Sequence, residues 1–261
     1  MRQWKIVSFN VNSVRVRLED LLAWMGQETP DVVCLQETKV QDPDFPVSAF
    51  TDIGYHAAFL GEKSKNGVAV LSREKPAEIK TGLDEWGQPG EARLIAARFD
   101  QIAVVNTYVP QGQDPQIEYF QYKLAWLRHM RDYFSRHYTP SEPVVWLGDL
   151  NVAPEPIDIY DPKRLLGRVG YHPDEHASFA YTKEWGFTDV FRKHVPEGGH
   201  YTFWDYRVMN ALDRGLGWRI DHILATENLA ARSTGAWVDT SLRRLARPSD
   251  HAPIIAMFDL D

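Results

Sequence analysis

Five short apolar runs in this chain each end on, or are broken by, an Asn, Asp, Glu or His. They are 5–12 (KIVSFNVN), 32–39 (VVCLQETK), 144–151 (VVWLGDLN), 217–224 (GWRIDHIL) and 249–257 (SDHAPIIAM). Apolar runs of this length read as buried strands. Acids and amides inside a core are costly unless they are paired or bound to a metal. Five such positions argue for one shared polar site at the edge of a sheet core, able to hold a divalent cation and a phosphate.

The rest of the pattern predicts what surrounds that site. A strand over 5–9 is followed by Leu18, Leu21, Leu22 and Met25 at helical spacing over 15–28, then by a strand over 32–36. Strand–helix–strand order is an α/β signature. Residues 42–53 read as a loop or short helix. Strands over 55–60, 67–72, 77–81, 93–99 and 102–109 follow with no long helix between them, which predicts antiparallel pairing. The longest helical pattern runs over 116–137, with Tyr119, Tyr122, Leu124, Leu127, Met130 and Phe134 on its apolar side. Beyond it come a strand over 144–147, a loop over 154–170, a helix over 175–185 and strands over 218–224, 235–238 and 254–258. The second half resembles the first in outline. These elements predict a single domain over 1–261, of class α/β (α+β): mixed, mainly antiparallel sheets face to face with helices outside.

Composition narrows the class. Hydrophobic residues make up 44% and charged residues 25% of 261, a soluble composition with enough apolar material for a sizeable core. The net charge of -7 speaks against a general nucleic-acid coat, while leaving room for an enzyme with acids at its centre and basic loops on its rim. Cys34 is the only cysteine, so no intrachain disulfide can form, and its apolar setting predicts a buried thiol suited to a reducing cytoplasm. No stretch approaches the roughly 18 apolar residues of a membrane span. Ser8, Asn10 and Asn12 interrupt any secretory apolar core at the N-terminus.

The polar positions suit phosphodiester hydrolysis. An anionic phosphate repels a nucleophile until its charge is screened, and a divalent cation does that while steadying the leaving alkoxide. Magnesium favours one or two carboxylates plus water and substrate. Glu37, just past a buried strand, is the first-choice ligand, with Asn12 and Asp250 in its inner or outer shell. Gly148 permits a close backbone passage, and Asp149 and Asn151 share a face if the chain there is extended. His251 needs a carboxylate from elsewhere to orient it, and Asp221 is the natural partner.

On these residues the chain resembles the exonuclease III family of apurinic/apyrimidinic endonucleases, within the endonuclease/exonuclease/phosphatase superfamily. The matching segments are SFNVNSVR (8–15), LQETK (35–39), GVAVLS (67–72), NTYVPQG (106–112), GDLNVAP (148–154), YTFWDYR (201–207), GWRIDHIL (217–224) and PSDHAP (248–253), in family order. The resemblance implies a four-layered α/β sandwich and a magnesium-dependent DNA-repair phosphodiesterase, with manganese as a substitute metal. Its activities would be incision 5′ to abasic sites, 3′ phosphodiesterase and phosphatase action, and 3′→5′ exonuclease action. Double-stranded DNA with abasic sites or damaged 3′ ends would be its substrate, taken by a monomer.

By resemblance Glu37 binds metal, with Asn12 and Asp250 near it. Asn10 and Asn151 hold Asp149 and the scissile phosphate, and Asp149 aligns or deprotonates the attacking water. Tyr108 contacts the phosphate, and His251, paired with Asp221, stabilises its charge. Phe203 and Trp218 wall a pocket for a sugar without its base. Arg93 contacts a phosphate, and Lys39, Arg15, Arg207, Arg243 and Arg244 add backbone contacts. Ser13 departs from the family's glycine, 114–116 is a short form of its loop, and 156–171 differs from the best-known members. Two alternatives stay open on the sequence: a superfamily phosphoesterase for RNA or a small phosphodiester, and a non-catalytic nucleic-acid-binding regulator.

Overall fold

The computed structural model describes residues 2–260. Its strands are β1 (Arg2–Asn10), β2 (Val32–Gln36), β3 (His56–Leu60), β4 (Val68–Ser72), β5 (Glu78–Thr81), β6 (Leu94–Phe99), β7 (Ile102–Tyr108), β8 (Val144–Asp149), β9 (Phe187–Asp189), β10 (Asp221–Thr226), β11 (Ser233–Val238) and β12 (Ile254–Leu260). They form two six-stranded sheets, in the orders β11-β12-β1-β2-β4-β3 and β5-β6-β7-β8-β10-β9. Only β1/β2 and β7/β8 pair in parallel among the described strands; the other neighbours are antiparallel. The Leu18–Glu28 and Glu118–His137 helices make these two crossovers.

The layering follows from the period-2 alternation of strand side chains. Ile6, Cys34, Val104, Val145 and Leu147 point between the sheets into one core. Their neighbours Val7, Phe9, Val33 and Leu35 turn outward onto Leu21, Trp24 and Met25 of the first helix. On the other side Val105 and Trp146 meet Trp126, Leu127, Met130 and Phe134 of the long helix. Strands buried on both faces carry unbroken apolar runs, which is why VVCLQ and VVWL read as continuous in the sequence. The result is the expected four-layered α/β sandwich. Truncating fully buried Trp126 or Trp146 to alanine would cost about 3–5 kcal/mol.

Three local expectations change. The last long helix spans Pro173–Lys183, starting two residues before the pattern predicted, because His172 and Glu175 form a capping box around Pro173. The 154–170 stretch contains a 3-10 turn at Pro156–Asp158 and a helical turn at Pro162–Leu165. The edge strand Phe187–Asp189 has too few residues to show a period. Among the described residues no helix is long and apolar enough to cross a membrane.

Candidate active site

The carboxyl ends of the two parallel pairs meet at one point. Asn10 ends β1 and Glu37 follows β2; Tyr108 ends β7 and Asp149 ends β8. Asn10 Nδ2 donates to Glu37 Oε1 at 2.8 Å and to Asp149 Oδ2 at 2.9 Å, bridging the sheets with one amide. Glu37 and Asn12 have left-handed backbones, with φ of 49° and 44°. Such conformations persist where surrounding structure enforces them. Here the carbonyls of Glu37 and Thr38 accept from Ser13 N at 2.7 Å and Val14 N at 3.1 Å. Ser13 has a φ of 87°, a backbone conformation that favours glycine.

Gly148 passes so close to β7 that a β-carbon there would stand 1.9 Å from Thr107 O. Asp149 and Asn151 do not share an extended face. Asn151 has φ 53°, its N–H donates to Asp149 Oδ1 at 3.0 Å, and its Nδ2 donates to Val109 O at 2.9 Å. A side-chain-capped turn replaces the predicted extension because the Asp149 carboxylate captures the amide two residues on.

The expected Asp221–His251 pair is present, with Nδ1 to Oδ2 at 2.8 Å. A carboxylate only accepts, so Nδ1 carries the proton and Nε2 faces Asp149 Oδ2 at 3.8 Å. Burial works against charge on His251, but the Asp221 and Asp149 carboxylates overcome it and push the imidazole up to about 10. Burial raises the Asp149 carboxyl above the usual range, with Asp221 adding to the effect and His251 opposing it. Burial also pushes Glu37 up, and the Lys39 ammonium with the Asn10 amide more than reverses this. The Tyr108 phenol is held well above its ordinary value by burial and by the Glu37 and Asp149 charges.

Ligand atoms of Glu37, Asp149 and His251 lie within 4.8 Å of one another. Asp250 joins them through Asn12, whose Nδ2 donates to Asp250 Oδ1 at 2.9 Å. The donor set fits a divalent cation: hard carboxylate oxygens dominate, and the buried Asp221 Oδ1 has no hydrogen-bond partner among the described residues. Lys39 is part of this cluster rather than of an outer rim. Its Nζ lies 2.7 Å from Glu37 Oε2 and donates to Asn12 Oδ1 at 2.6 Å.

Beside the cluster opens a cavity of about 320 Å³, lined by Glu37, Tyr108, Asp149, Asn151, Phe203, Trp218, Asp250 and His251 among others. Phe203 pairs by backbone with both Trp218 and His251, and its ring centroid lies 5.0 Å from that of His251. Both aromatics pack on Ile159, Tyr171 and Ile220. Gly170 lets Trp218 lie close, since a β-carbon there would be 3.2 Å from its ring. The 156–171 region thus forms the back of this wall.

Arg93, expected at a phosphate, lies outside the cavity lining. It is 6% exposed, donates to Glu91, to the Tyr108 carbonyl and to the Tyr119 hydroxyl, and stacks 4.8 Å from the Tyr108 ring. Three protein partners claim its guanidinium, so it reaches the site through Tyr108. At the rim, Arg207 lines the cavity and pairs with Asp205, while Arg243 and Arg244 donate to the Trp204 carbonyl and to Asp213. Two buried groups of charges escaped the sequence reading: Lys123 with Glu175, and Arg219 with Asp158 and Asp189.

A site built at the strand ends of two facing sheets, with acids around an imidazolium, defines a metal-assisted phosphoesterase class. The chain belongs to the endonuclease/exonuclease/phosphatase family, whose model matches residues 7–251. Its relatives lie in the exonuclease III branch. It is 34% identical to exodeoxyribonuclease III of Haemophilus influenzae, over 97% of this chain and 99% of that one. An AP endonuclease structure from Archaeoglobus fulgidus superposes with a TM-score of 0.95 at 46% identity, covering 98% of this chain and all of that one (100%). A 3′ phosphatase from Neisseria, bound to a product DNA hairpin, gives 0.94 at 35% identity, with 98% and 100% covered.

Proposed function

We propose that this protein is a magnesium-dependent DNA-repair phosphodiesterase. It cuts the backbone 5′ to abasic sites and clears blocked 3′ ends, with 3′→5′ exonuclease action at the same site. The observation that carries this reading is the Glu37–Asp149–His251 cluster, with its side-chain oxygen and nitrogen atoms within 4.8 Å, opening beside a cavity walled by Phe203 and Trp218.

Glu37, with Asn12 and Asp250 beside it, would hold magnesium, or manganese as a substitute; the bound cation screens the phosphate charge and steadies the leaving alkoxide. Asp149 aligns the attacking water and accepts its proton, a task suited to a carboxyl raised toward neutrality by burial. Asn10 fixes that carboxylate from one side and the Asn151 amide from the other. The His251 imidazolium, oriented by Asp221, faces the charge that builds on the phosphate oxygens. Tyr108 keeps its proton and donates it as a hydrogen bond to the phosphate. Arg93 supports the Tyr108 ring from behind.

Phe203 and Trp218 accept a sugar that lacks its base, and an abasic nucleotide is cheap to turn out of the helix because it has little stacking to lose. The branch motifs and relatives disfavour the RNA and small-phosphodiester reading, and the full set of polar side chains disfavours a non-catalytic regulator.

A duplex carrying a tetrahydrofuran abasic analogue tests the proposal. With magnesium, the wild-type protein is expected to nick 5′ to the lesion. EDTA abolishes the cut, and Glu37→Gln lowers the rate by about 10²-fold or more. An intact duplex at high enzyme concentration overturns the reading.

A further inference from the structure

One ammonium lies behind three separate stretches of the cavity wall. Lys123 stands on the inward face of the Glu118–His137 helix and is fully buried (0% exposed). Its Nζ donates to Gln111 O at 3.1 Å, to Asn151 O at 2.7 Å and to the Glu175 carboxylate. Glu175, also fully buried at 0%, uses its remaining capacity on the chain: Oε1 accepts from Gly170 N and Oε2 from His172 N, both at 3.0 Å. Gln111, Asn151, Val169 and Gly170 all line the cavity. Neither charged side chain does.

A buried ion pair is a poor device for stability, because well-packed apolar residues of like volume often do as well. This pair spends its hydrogen bonds on backbone groups of wall segments that are distant in sequence. Asn151 in turn donates its N–H to Asp149 Oδ1 at 3.0 Å, so the chain of contacts runs from Lys123 to the carboxylate assigned to the water. Ala153 N donates to Gly170 O at 2.7 Å and closes the loop between the same two stretches.

We infer that Lys123 and Glu175 are positioning residues that set the cavity's selectivity and fix Asn151 and Asp149 for turnover. This deepens the proposed function and rests on it for the identity of the substrates. The pair acts from behind the wall. Losing it leaves 151 and 169–170 joined only by the Ala153–Gly170 backbone bond, which loosens the fit around the sugar and tilts the Asp149 carboxylate.

The test compares wild type with Lys123→Met/Glu175→Met and with Glu175→Gln. Two readouts are taken: cleavage of the abasic duplex against removal of an ordinary 3′ nucleotide, and amide hydrogen exchange. The double variant is expected to lose at least tenfold in kcat on the abasic duplex. Its preference for that substrate over the ordinary terminus should fall about fivefold or more, and exchange should speed up at 110–113, 150–153 and 168–172 while the sheets stay protected. Glu175→Gln, which keeps one acceptor, should shift the same quantities less, and it carries the test if the double variant does not fold. A merely structural role would lower both activities by one factor and leave their ratio unchanged; that result overturns the inference, as does unchanged exchange in the three segments. Failure of the wild type to cut the abasic duplex would refute the functional reading alone, because exchange still decides whether the pair holds the wall.

Discussion

The two sheets have the same pairing plan and different consequences. Counting across each sheet, the third and fourth strands are the parallel pair, β1/β2 in one and β7/β8 in the other, each joined by a helix. The last parallel rungs correspond: Asn10 opposite Gln36, and Tyr108 opposite Asp149. The antiparallel strands that follow correspond as well, β3 and β4 to β9 and β10. Their connections differ. The first sheet uses 37–55 and 61–67, whereas the second uses 150–186 and 190–220, which supply Phe203, Trp218 and the 156–171 backing. Both sheets therefore contribute to the chemistry where their strands end, as open α/β sheets commonly do. The connections of one sheet alone supply the Phe203 and Trp218 side of the cavity.

The equivalent positions Asp149 and Gln36 sharpen this comparison most. Asp149 faces the cavity, and its replacement by asparagine removes the proposed proton acceptor without emptying the core. Asp149→Asn is expected to lower kcat about 10²–10⁴-fold while moving the Kd for abasic duplex by less than about threefold. Binding titrations beside single-turnover kinetics check it. Equal losses in binding and turnover would mean that Asp149 holds substrate rather than water.

Gln36 occupies the matching place and points between the sheets. Its Nε2 donates to Asn106 Oδ1 at 2.7 Å and to Ser8 Oγ at 3.1 Å; Asn106 returns two bonds, to Leu35 O and Ala69 O, both at 2.9 Å. Gln36→Met leaves the Asn106 carbonyl unsatisfied, so urea unfolding should show a loss of about 2–3 kcal/mol. Turnover on the abasic duplex should stay within about twofold of wild type. A large fall in kcat with unchanged stability would make Gln36 part of the chemistry and erase the contrast between the rungs.

What the sequence disclosed follows the same division. Strand ends were legible because apolar runs stopped at chemically costly residues: Asn10, Glu37, Asp149, Asp221 and His251 were all found this way, and Asp221 and His251 do meet at 2.8 Å. The resemblance added Phe203, Trp218 and Tyr108, which spacing alone cannot bring together. At Asn151 the sequence left both an extended strand end and an Asx turn open, because strand periodicity says nothing about an aspartate folding back on the next amides; the turn is what forms. The three protein partners of Arg93 were not legible, because a sequence does not reveal which side chains claim a guanidinium. Lys123 did leave a signal: a charge on the apolar face of a helix, between Phe120 and Leu127, needs a buried counter-ion. Asp158 left none, since its partner Arg219 is far away in the chain and the segment around it has no period.

The long connections of the second sheet are joined by a fully buried ionic brace, and acid should expose it. Arg219, fully buried at 0%, donates to Asp158 Oδ1 at 2.6 Å and to Asp189 Oδ2 at 2.9 Å, and Arg192 donates to Asp158 as well. Burial opposes charge on both carboxylates, but Arg219, helped by Arg192 at Asp158 and by His222 at Asp189, holds them below the usual range. A folded-state value below the unfolded one means that stability from this group is complete above about pH 4 and is lost as the pH falls through that point and beyond. Each unit of displacement is worth about 1.4 kcal/mol. Asp189→Asn should therefore flatten the loss of stability between pH 5 and pH 3 by on the order of 1 kcal/mol, read from urea unfolding at each pH. In the wild type over the same range, amide exchange should rise first in 153–171 and 195–220, before 37–55. Simultaneous loosening of both sets of connections would show that the brace serves the whole fold, and the asymmetry between the sheets would then lie in length alone.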